Sequence, residues 1–399
     1  MDITQLHFLV AEAAPSKRGI LVNMLTRLGA TEVTEVPDGH SALRCFQDTY
    51  TRTIDVAIID LALPGMDGLE LIRTLAGISC RARLIVVGAQ APDLMFSVET
   101  MAQAYGIDLL GTLTEPVSAS RLSALLEDDC APLPPPSRRA QEPTFTFLEV
   151  GLGLKARQFE PFFQPKIELE TGQVKGLEAF ARWRHPEHGV LGPSAFIDAL
   201  EQHNRIDLLD WTMIEKSIAR CREFHDRSIP IAISINLARE TLAHPAFMQQ
   251  IASCVERHRV MPEYITFELP ESSVLTTDPH FLERLVRLRM AGFGLAIDDY
   301  GTGRSNLQLL ARIPFSELKI DRSFVDGASK KRALGTVLGS CLGLARSLER
   351  TSVAVGVETK QDWDFLQGLG CTYAQGFHIA MPMDAAAFPG WLEDWRLFF

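Results

Sequence analysis

Asp298 and Asp299 stand side by side at the end of an apolar run, in the segment AIDDYGTG at residues 296–303. Adjacent carboxylates repel each other, so a chain that places both at the end of a strand needs positive charge close to them. Two bound metal ions would supply that charge, with Asp298 bridging the ions and Asp299 reaching the second one. Two such ions stabilise the attacking and leaving oxygens when a phosphate ester is displaced.

Similar polar residues end most of the other apolar runs in the second half of the chain. They are Glu178, Asn236, Glu268, Glu271, Lys319, Asp321, Glu358 and Gln375. A single strand-end aspartate is most often a helix N-cap, but burying this many charges without partners would cost too much free energy. The pattern therefore predicts a site built around bound metal.

The candidate ligands of the first metal ion are hard oxygen donors. They are Glu178, Asn236, Glu268 and Asp298, three carboxylates and one amide, and no histidine lies at these strand ends. This set predicts Mg²⁺ or Mn²⁺ and argues against zinc or copper. Lys319 would add positive charge beside the phosphoryl oxygens or the attacking water. A Mg²⁺-dependent barrel that forms an enolate with a lysine base is the alternative, but the spread of carboxylates over two ions favours phosphate displacement.

A barrel of parallel strands would bring these residues together. Eight apolar, β-prone segments carry them: 161–169, 175–183, 231–238, 264–272, 294–301, 317–325, 352–358 and 372–377. Amphipathic helices lie between most of these segments, which predicts a (β/α)8 barrel of the TIM type. In such barrels the functional side chains lie at the carboxyl ends of the strands.

A proline-rich segment, APLPPPSRRAQEP at residues 131–143, separates this barrel from a smaller first part. Proline clusters continue neither helix nor central strand, so we expect a linker at 131–146, between domains at 1–130 and 147–399. The first part alternates β-prone runs such as DVAIIDL with helical segments. This alternation predicts a doubly wound, flavodoxin-like α/β domain with a parallel sheet.

Composition excludes several classes of protein. The formal net charge is −11, so binding to DNA is not expected. The seven cysteines contain no C-x-x-C pair, which argues for a reducing cytosol and against a disulfide framework or a zinc site. There is no apolar run of about 18 residues and no signal-like N-terminus, so we expect a cytoplasmic protein that does not insert into membranes.

The second part resembles the EAL family of cyclic-di-GMP phosphodiesterases over residues 148 to about 384. Its segments follow the family's order and spacing: EAF, ARWRHPEHGVLGPSAFI, INLA, ELPES, DDYGTGRSNL, LKIDRSFV, VGVET and LGCTYAQGF. The resemblance implies Mg²⁺- or Mn²⁺-dependent hydrolysis of cyclic-di-GMP to the linear dinucleotide pGpG. With the first part, the architecture resembles a receiver–EAL response regulator.

The resemblance also implies roles for individual residues. By motif position, the ligands of the first metal ion match Glu178, Asn236, Glu268 and Asp298. Asp299 matches a residue on the side of the second metal ion. Lys319 matches the lysine near the attacking water. Gln164, Arg182, Asp321 and Gln375 match positions that contact the nucleotide. Phe180 is a mild apolar replacement for the leucine of the family's Glu-Ala-Leu motif.

One departure from the family concerns catalysis directly. The family reads Ala-Glu-Gly-Val-Glu where this chain reads AVGVE, so Glu358 is kept but Val355 replaces the first glutamate. In the family that glutamate is assigned to water activation and to the surroundings of the second metal, and valine neither accepts a proton nor binds a cation. The resemblance therefore predicts impaired or absent hydrolysis unless Lys319, Glu358 or Asp299 takes over the role. A second departure, Arg304 after GTG, suggests either an interdomain contact or plain surface.

The first part resembles a receiver domain that lacks most of its phosphorylation chemistry. Asp60 matches the phosphoacceptor, and Glu12 keeps one of the two acidic residues after the first strand. Ala13 replaces the metal-binding aspartate, Gly88 the hydroxyl residue, and Glu115 the lysine. Because phosphoryl transfer needs Mg²⁺ and a cation to offset charge, we expect a receiver that acts without phosphorylation, in dimerisation or partner binding.

Three functions remain as alternatives. The first is a cyclic-di-GMP-binding effector or scaffold with weak or no hydrolysis, the second an active phosphodiesterase that tolerates Val355, and the third an interaction module that binds neither ligand nor metal. Under the first two we expect cyclic-di-GMP as ligand and a homo-oligomer, a dimer or larger. A sensor kinase or regulator protein is the expected type of protein partner.

Overall fold

The computed structural model describes residues 3–48, 53–78, 80, 82–89, 92–127, 144–274, 278–303 and 310–397. The chain divides into two compact units, Met1–Arg139 and Ala140–Phe399. The proline-rich segment at 131–143 and Arg304 lie outside the described residues. No helix of the described part is long and apolar enough to span a membrane.

The first unit is a five-stranded sheet with helices between the strands. Its elements are β1 (His7–Ala11), α1 (Pro15–Arg27), β2 (Glu32–Val36), α2 (Gly39–Gln47), β3 (Val56–Asp60), α3 (Gly68–Gly77), β4 (Arg83–Gly88), α4 (Pro92–Ala104), β5 (Leu109–Thr114) and α5 (Ala119–Glu127). The strand order is β2-β1-β3-β4-β5 and every neighbouring pair is parallel. Strands β1, β3 and β4 are buried along their whole length, as expected where helices cover both faces of a sheet. The predicted doubly wound domain is confirmed.

The second unit carries the remaining elements. They are α6 (Phe147–Lys155), β6 (Phe159–Glu168), β7 (Val174–His185), β8 (Gly189–Leu191), α7 (Ile197–Gln202), α8 (Ile206–Asp226), β9 (Ala232–Asn236), α9 (Arg239–Ala243), α10 (Phe247–His258), β10 (Ile265–Pro270), α11 (Glu271–Val274), α12 (Pro279–Met290), β11 (Gly294–Tyr300), β12 (Glu317–Ile320), α13 (Arg322–Val325), α14 (Arg332–Ser347), β13 (Thr351–Val355), α15 (Lys360–Gly368), β14 (Tyr373–Gln375), β15 (Met383–Asp384) and α16 (Phe388–Trp395). Short 3-10 helices lie at Ile3–Gln5, Pro193–Ala195 and Pro262–Tyr264.

Eight of these strands close into a barrel. The order runs β6-β14-β13-β12-β11-β10-β9-β7, and β7 pairs back with β6. The barrel is TIM-like, as predicted, with one difference in strand direction. Strand β6 is antiparallel to both β7 and β14, whereas the other strand pairs around the barrel are parallel. Strands β6 and β7 therefore follow each other directly, without a helix between them.

The strand register decides which side chains face the barrel interior. Glu178 on β7 pairs with Ser234 on β9, and Glu268 on β10 pairs with Asn236. Lys319 on β12 pairs with Val353 on β13. Paired residues of neighbouring strands point to the same face of a sheet, and so do residues two apart on one strand. The register thus directs polar side chains from several strands into one interior, which apolar residues otherwise fill.

Candidate metal centre at the mouth of the barrel

Three carboxylates converge inside the barrel at the carboxyl ends of its strands. Glu178, Glu268 and Asp298 each offer an oxygen atom within 4.8 Å of the others. Glu178 and Glu268 are buried, with 2% and 0% of their surface exposed. Asp298 lies two residues beyond Ala296, which pairs with Glu268, so the register brings these carboxylates to one face. The predicted convergence of the three is present in the structure.

Lys319 is the positive charge among these carboxylates. Its Nζ lies 2.9 Å from Glu178 Oε2 and 3.1 Å from Asp298 Oδ1, and it also donates a hydrogen bond to Glu268 Oε2. The side chain is almost fully buried. Burial lowers the pKa of Lys319, but the surrounding carboxylates outweigh burial and raise it well above its ordinary value. In this arrangement the lysine is a cation held among the three carboxylates.

Lys319 does not compensate the three acids equally, so their pKa values differ. Burial raises the pKa of Glu178, but Lys319 and the hydrogen bonds from Gln375 and Asn236 outweigh it and lower the pKa to about 2. Burial and the neighbouring Glu178 raise the pKa of Glu268 to about 8, against the opposing effect of Lys319. Burial likewise raises the pKa of Asp298. The raised pKa values of Glu268 and Asp298 show that their ionised forms are poorly compensated, and a bound cation would stabilise those forms.

Two glutamines and one asparagine complete the wall of the site. Asn236 Nδ2 donates to Glu178 Oε1 at 3.0 Å, which leaves its amide oxygen as the atom that would coordinate an ion. Gln375 Nε2 donates to Glu178 Oε2 at 2.8 Å and to Gln164 Oε1 at 2.9 Å. Gln164 in turn donates to the carbonyl of Ala380 at 2.8 Å. These bonds fix the orientation of the predicted nucleotide-contacting glutamines relative to the carboxylates.

Two buried oxygens of the site lack a hydrogen-bond partner among the described residues, Glu268 Oε1 and Gln375 Oε1. Lys166 Nζ lies 3.7 Å from Glu268 Oε1, which is too far for a hydrogen bond. A buried polar atom without a partner costs free energy unless something binds it. Hard oxygen donors, poorly compensated carboxylates and an unpartnered carboxylate oxygen together fit a divalent cation such as Mg²⁺ or Mn²⁺.

Asp299 lies beside this centre on a distorted part of β11. The pairing of β11 with β12 shifts register between Ile297 and Tyr300, and Asp299 has a left-handed φ of 54°. A bulge of this kind re-aims side chains, and a non-glycine residue in this conformation is strained. Burial, Asp298 and Asp321 raise the pKa of Asp299 to about 6. Neighbouring strand residues normally point to opposite faces, and this distortion would let two consecutive aspartates face the same site.

Glu271 holds the loop that follows Asp299. Its carboxylate is buried and accepts hydrogen bonds from the backbone N–H of Gly301 at 2.8 Å and of Gly303 at 3.3 Å. The sequence places Glu271 among the polar strand ends but does not indicate a role for it. In the structure it connects the β10 strand end to the Gly-Thr-Gly turn.

The structure brings together some of the other predicted residues and not others. Arg182 donates to the carbonyl of Ala181 and packs over the Phe180 ring, 5.9 Å from its centroid. Asp321 caps α13, accepting from the N–H of Ser323 at 2.9 Å. Glu358 lies beyond the end of β13, half-exposed, with Oε1 3.6 Å from an Arg322 nitrogen. The roles of these residues in binding and catalysis remain predictions.

A second buried ionic layer lies below the metal centre and escaped the sequence analysis. Lys166 on β6 donates to Glu317 Oε1 at 2.6 Å and to Ser234 Oγ at 2.7 Å. Glu317 and Ser234 each lie two residues before a residue of the site, Lys319 and Asn236 respectively. The same period of two that predicts the centre could have pointed to them.

The first unit has its own acidic cluster. Glu12, Asp60 and Glu115 offer oxygen atoms within 4.8 Å of one another, and Glu12 and Asp60 are buried. Lys17 on α1 contacts both oxygens of Glu115 at 2.7 Å. Burial raises the pKa of Glu12. The negative charge of Asp60 adds to this rise, and the hydrogen bond from the N–H of Ala14 opposes it. The only lysine near this cluster in the described residues thus comes from a helix and is already paired with Glu115.

A five-stranded doubly wound unit, followed by a barrel with carboxylates at its strand ends, defines the class: a two-domain protein with a receiver domain and an EAL domain. The chain belongs to the EAL domain family, whose model matches residues 149–382. The response regulator receiver domain model matches residues 8–127. EAL domains generally depend on a divalent metal ion.

Known proteins resemble the chain over its whole length or over the barrel. The cyclic di-GMP phosphodiesterase RocR of Pseudomonas aeruginosa is 33% identical over 385 residues, which cover 96% of this chain and 97% of RocR. The solved structure of the PaMucR phosphodiesterase in complex with c-di-GMP is 32% identical with a TM-score of 0.58, covering 61% of this chain and 99% of that one. The FimX EAL domain of Pseudomonas aeruginosa bound to c-di-GMP, 20% identical with a TM-score of 0.53 over 59% of this chain and 96% of that one, shares the fold.

Proposed function

We propose that the barrel binds cyclic-di-GMP at the carboxylate centre and hydrolyses it weakly or not at all, so that the protein acts as a cyclic-di-GMP-binding effector or scaffold. The observation that carries this proposal is a cluster of three carboxylates that could hold one metal ion, combined with Val355 at the position of the family's catalytic glutamate.

Binding is supported by the groups that line the mouth of the barrel. Glu178, Asn236, Glu268 and Asp298 are the residues that would hold a divalent ion, and they share one hydrogen-bonded cluster with Lys319 and Gln375. The phosphates of cyclic-di-GMP are anionic, so the ion and Lys319 are the charges that would receive them. Two relatives with this fold are described as bound to c-di-GMP.

The loss of hydrolysis is supported by the strand register around Val355. Val355 pairs with Gln375, whose side chain reaches Glu178 in the interior. It also lies two residues beyond Val353, the partner of Lys319. Both relations put Val355 on the inward face at the mouth of the barrel. A glutamate there would be next to the reacting groups, whereas a valine has no oxygen to accept the proton of an attacking water.

The missing group affects a defined part of the reaction. A bound divalent ion would polarise the phosphoryl oxygens and lower the pKa of bound water. Lys319 would stabilise negative charge on the phosphoryl group, and Gln164 and Gln375 would orient the nucleotide. General-base catalysis typically contributes about 10²–10⁴-fold to the rate. Without it, binding persists while turnover falls.

An active phosphodiesterase is the second candidate, and Asp299 is the observation in its favour. Its pKa is raised to about 6 by burial and by its acidic neighbours, which suits a general base near neutral pH. Asp299 is exposed at the mouth, where water reaches it. Under this alternative Asp299 replaces the family's glutamate as proton acceptor. An interaction module without ligand or metal is the third candidate.

We infer that the receiver unit acts without phosphorylation, as a dimerisation or partner-binding domain. Ala13 and Gly88 lack the required carboxylate and hydroxyl, and Glu115 has the wrong charge. Lys17 is engaged with Glu115. A homo-oligomer and a sensor kinase or regulator protein as partner are proposals of the same kind.

One experiment separates the three functions. Purified full-length protein is incubated with cyclic-di-GMP and Mg²⁺ or Mn²⁺, and bound and cleaved nucleotide are measured in the same sample. Binding without appreciable pGpG supports the effector, and multiple turnovers establish the phosphodiesterase. If the sample shows neither binding nor cleavage, the interaction module is the function that remains. PaMucR phosphodiesterase in parallel shows that the assay detects hydrolysis.

A further inference from the structure

Three side chains of different chemistry meet on the outer layer of the second unit, away from the strand ends. They are Glu215 on α8 and Cys254 and His258 on α10, and each offers a ligand atom within 4.8 Å of the others. Cys254 and His258 are four residues apart, so they lie on the same face of α10. Glu215 reaches them from the neighbouring helix. Neither the proposed function nor the resemblance to the family uses these residues.

Glu215 lies between the thiol and the imidazole. Cys254 Sγ is 3.2 Å from Glu215 Oε2, and His258 Nε2 is 2.9 Å from Glu215 Oε1. Arg257 Nη1 also donates to Glu215 Oε1, at 2.7 Å, so Oε2 is the carboxylate oxygen without a competing arginine contact. Cys254 is buried at 2% exposure, whereas the side chains of Glu215 and His258 are 43% and 23% exposed. An ion from solvent can thus reach the cluster, while the sulfur stays shielded.

We propose that Glu215, Cys254 and His258 form a binding site for Zn²⁺ that connects α8 to α10. One sulfur, one imidazole nitrogen and one carboxylate oxygen form a mixed ligand set that suits zinc, whereas Mg²⁺ and Ca²⁺ select oxygen donors. Three protein ligands leave one tetrahedral position open for water or an outside ligand. The proposal concerns residues other than those of the barrel mouth, so it holds or fails independently of cyclic-di-GMP binding.

Binding at this site releases a proton. The Cys254 thiol donates a hydrogen bond to Glu215 Oε2 at 3.2 Å, so the sulfur carries its proton in the absence of metal. Zinc replaces the thiol proton, forming a Zn–S bond and releasing H⁺ to solvent. His258 coordinates as the neutral imidazole. Affinity should therefore increase with pH.

The chain contains a matched pair for comparison. Cys221 and His225 on α8 have the same spacing, and Cys221 Sγ lies 3.5 Å from His225 Nε2. Both groups instead contact the carbonyl of Ile231, at 3.5 and 3.0 Å. In the described residues no third side chain joins this pair to make a set of metal ligands. Cys221→Ser thus removes a helical cysteine of the same i, i+4 pattern without touching the proposed site.

The test uses untagged full-length protein carrying Asp298→Asn and kept in excess Mg²⁺, so that zinc at the barrel mouth does not add to the signal. Zinc affinity is measured by competition with a chromophoric chelator. Cobalt(II) is then added as a spectroscopic probe of thiolate coordination. We expect one zinc per chain and a cobalt–thiolate charge-transfer band in this background and in Cys221→Ser. Cys254→Ser should lose the band, and Cys254→Ser, His258→Gln and Glu215→Gln should each bind zinc at least 10-fold more weakly.

Because Cys254 is buried, substituting it could impair folding. His258 and Glu215 are partly exposed and provide variants that leave the core unchanged. Circular dichroism and thermal unfolding without metal check the fold of each. Equal zinc affinity in His258→Gln, Glu215→Gln and the background would overturn the proposal. The proposal would also be overturned if Cys221→Ser lost the cobalt–thiolate band while Cys254→Ser kept it.

Discussion

At the residue scale, the charge balance of the barrel mouth governs what binds there. Lys319 contacts Glu178, Glu268 and Asp298 directly, and Lys166 lies 3.7 Å from Glu268. Lys166 is occupied by Glu317 in the layer below. A divalent ion would stabilise the ionised carboxylates and engage the unpartnered oxygen of Glu268. Metal binding should therefore depend on each carboxylate of the set.

The first prediction tests this dependence with Asp298→Asn. The amide keeps the shape of the side chain but removes one negative charge and weakens coordination, so Mn²⁺ affinity should fall by at least 10-fold in titration calorimetry. Asp364→Asn is the matched control, because Asp364 is an exposed carboxylate paired only with Lys360 in an i, i+4 contact. Equal affinity in wild type and Asp298→Asn would show that Asp298 does not hold the ion.

The second prediction concerns Val355→Glu. If the missing carboxylate limits turnover, kcat for cyclic-di-GMP should increase by about 10²-fold or more, the usual size of general-base catalysis. Nucleotide affinity should change little, because a base acts mainly in the transition state. Without metal the variant should lose stability by roughly 1–3 kcal/mol from the added charge, and excess Mg²⁺ should restore part of it.

Val355→Gln is the control for this gain, since glutamine has the volume of glutamate without its basicity. The increase should be confined to Val355→Glu. A folded Val355→Glu that binds cyclic-di-GMP without faster turnover would mean that another departure limits the reaction. If the wild type already hydrolyses cyclic-di-GMP and Val355→Glu does not increase kcat, Val355 is a tolerated replacement for the family's glutamate.

At the element scale, a buried aspartate links helices on the outside of the barrel. Asp210 on α8 accepts hydrogen bonds from the N–H of Ala238 at 2.9 Å and from Thr241 Oγ1 at 2.6 Å, at the start of α9. Burial outweighs these hydrogen bonds and raises the pKa of Asp210 to about 7. The folded protein thus keeps a proton on Asp210 at pH values where the unfolded chain has lost it.

The third prediction follows from that difference. Between about pH 4 and pH 7 the native state binds more protons at Asp210 than the unfolded state, so the free energy of unfolding falls as pH rises. The loss should reach at most about 4 kcal/mol, from roughly three pH units at 1.4 kcal/mol each. Asp210→Asn should flatten this part of the profile in urea unfolding. Glu223→Gln, at an exposed position of the same helix, should leave the slope unchanged. A slope in Asp210→Asn identical to that of the wild type would contradict the assignment.

The elements show what the sequence could and could not predict. The eight apolar segments predicted as barrel strands correspond to β6, β7 and β9–β14, because alternating apolar residues report burial directly. The direction of β6 was not predictable in the same way, since an apolar strand pattern is the same for parallel and antiparallel neighbours. Segment 317–325 was expected to be strand throughout, but Asp321 caps α13 and ends it.

Side-chain partners were harder to predict than strands. Lys166 lies in a predicted strand, yet a lone lysine in a sequence usually indicates surface, and only the closed barrel places it against Glu317. The bulge at Asp298–Asp299 depends on tertiary pairing between β11 and β12. The Glu215–Cys254–His258 cluster combines two helices, so a search for C-x-x-C spacing could not find it.

At the scale of the whole molecule, two units with separate cores share one chain, and a conventional response regulator would couple them through phosphorylation. The coupling chemistry requires a metal-binding acidic pair, a hydroxyl and a lysine around the phosphoacceptor. Here the receiver unit keeps Asp60 and Glu12 but surrounds them with a third carboxylate, Glu115. Negative charge at this point repels an incoming phosphoryl group.

The fourth prediction is that Asp60 does not become stably phosphorylated. Lys17 does not replace the missing lysine, because it contacts both oxygens of Glu115 at 2.7 Å and is held as that residue's counter-ion. Treatment of the full-length protein with acetyl phosphate or beryllofluoride should therefore leave its mass, oligomeric state and cyclic-di-GMP binding unchanged.

Ala13→Asp combined with Glu115→Lys restores two of the missing groups and frees Lys17. This double variant should take up more phosphate than wild type, and adding Asp60→Asn should abolish the uptake. A stoichiometric phospho-adduct on the wild type that disappears in Asp60→Asn would show that phosphorylation still connects the two units.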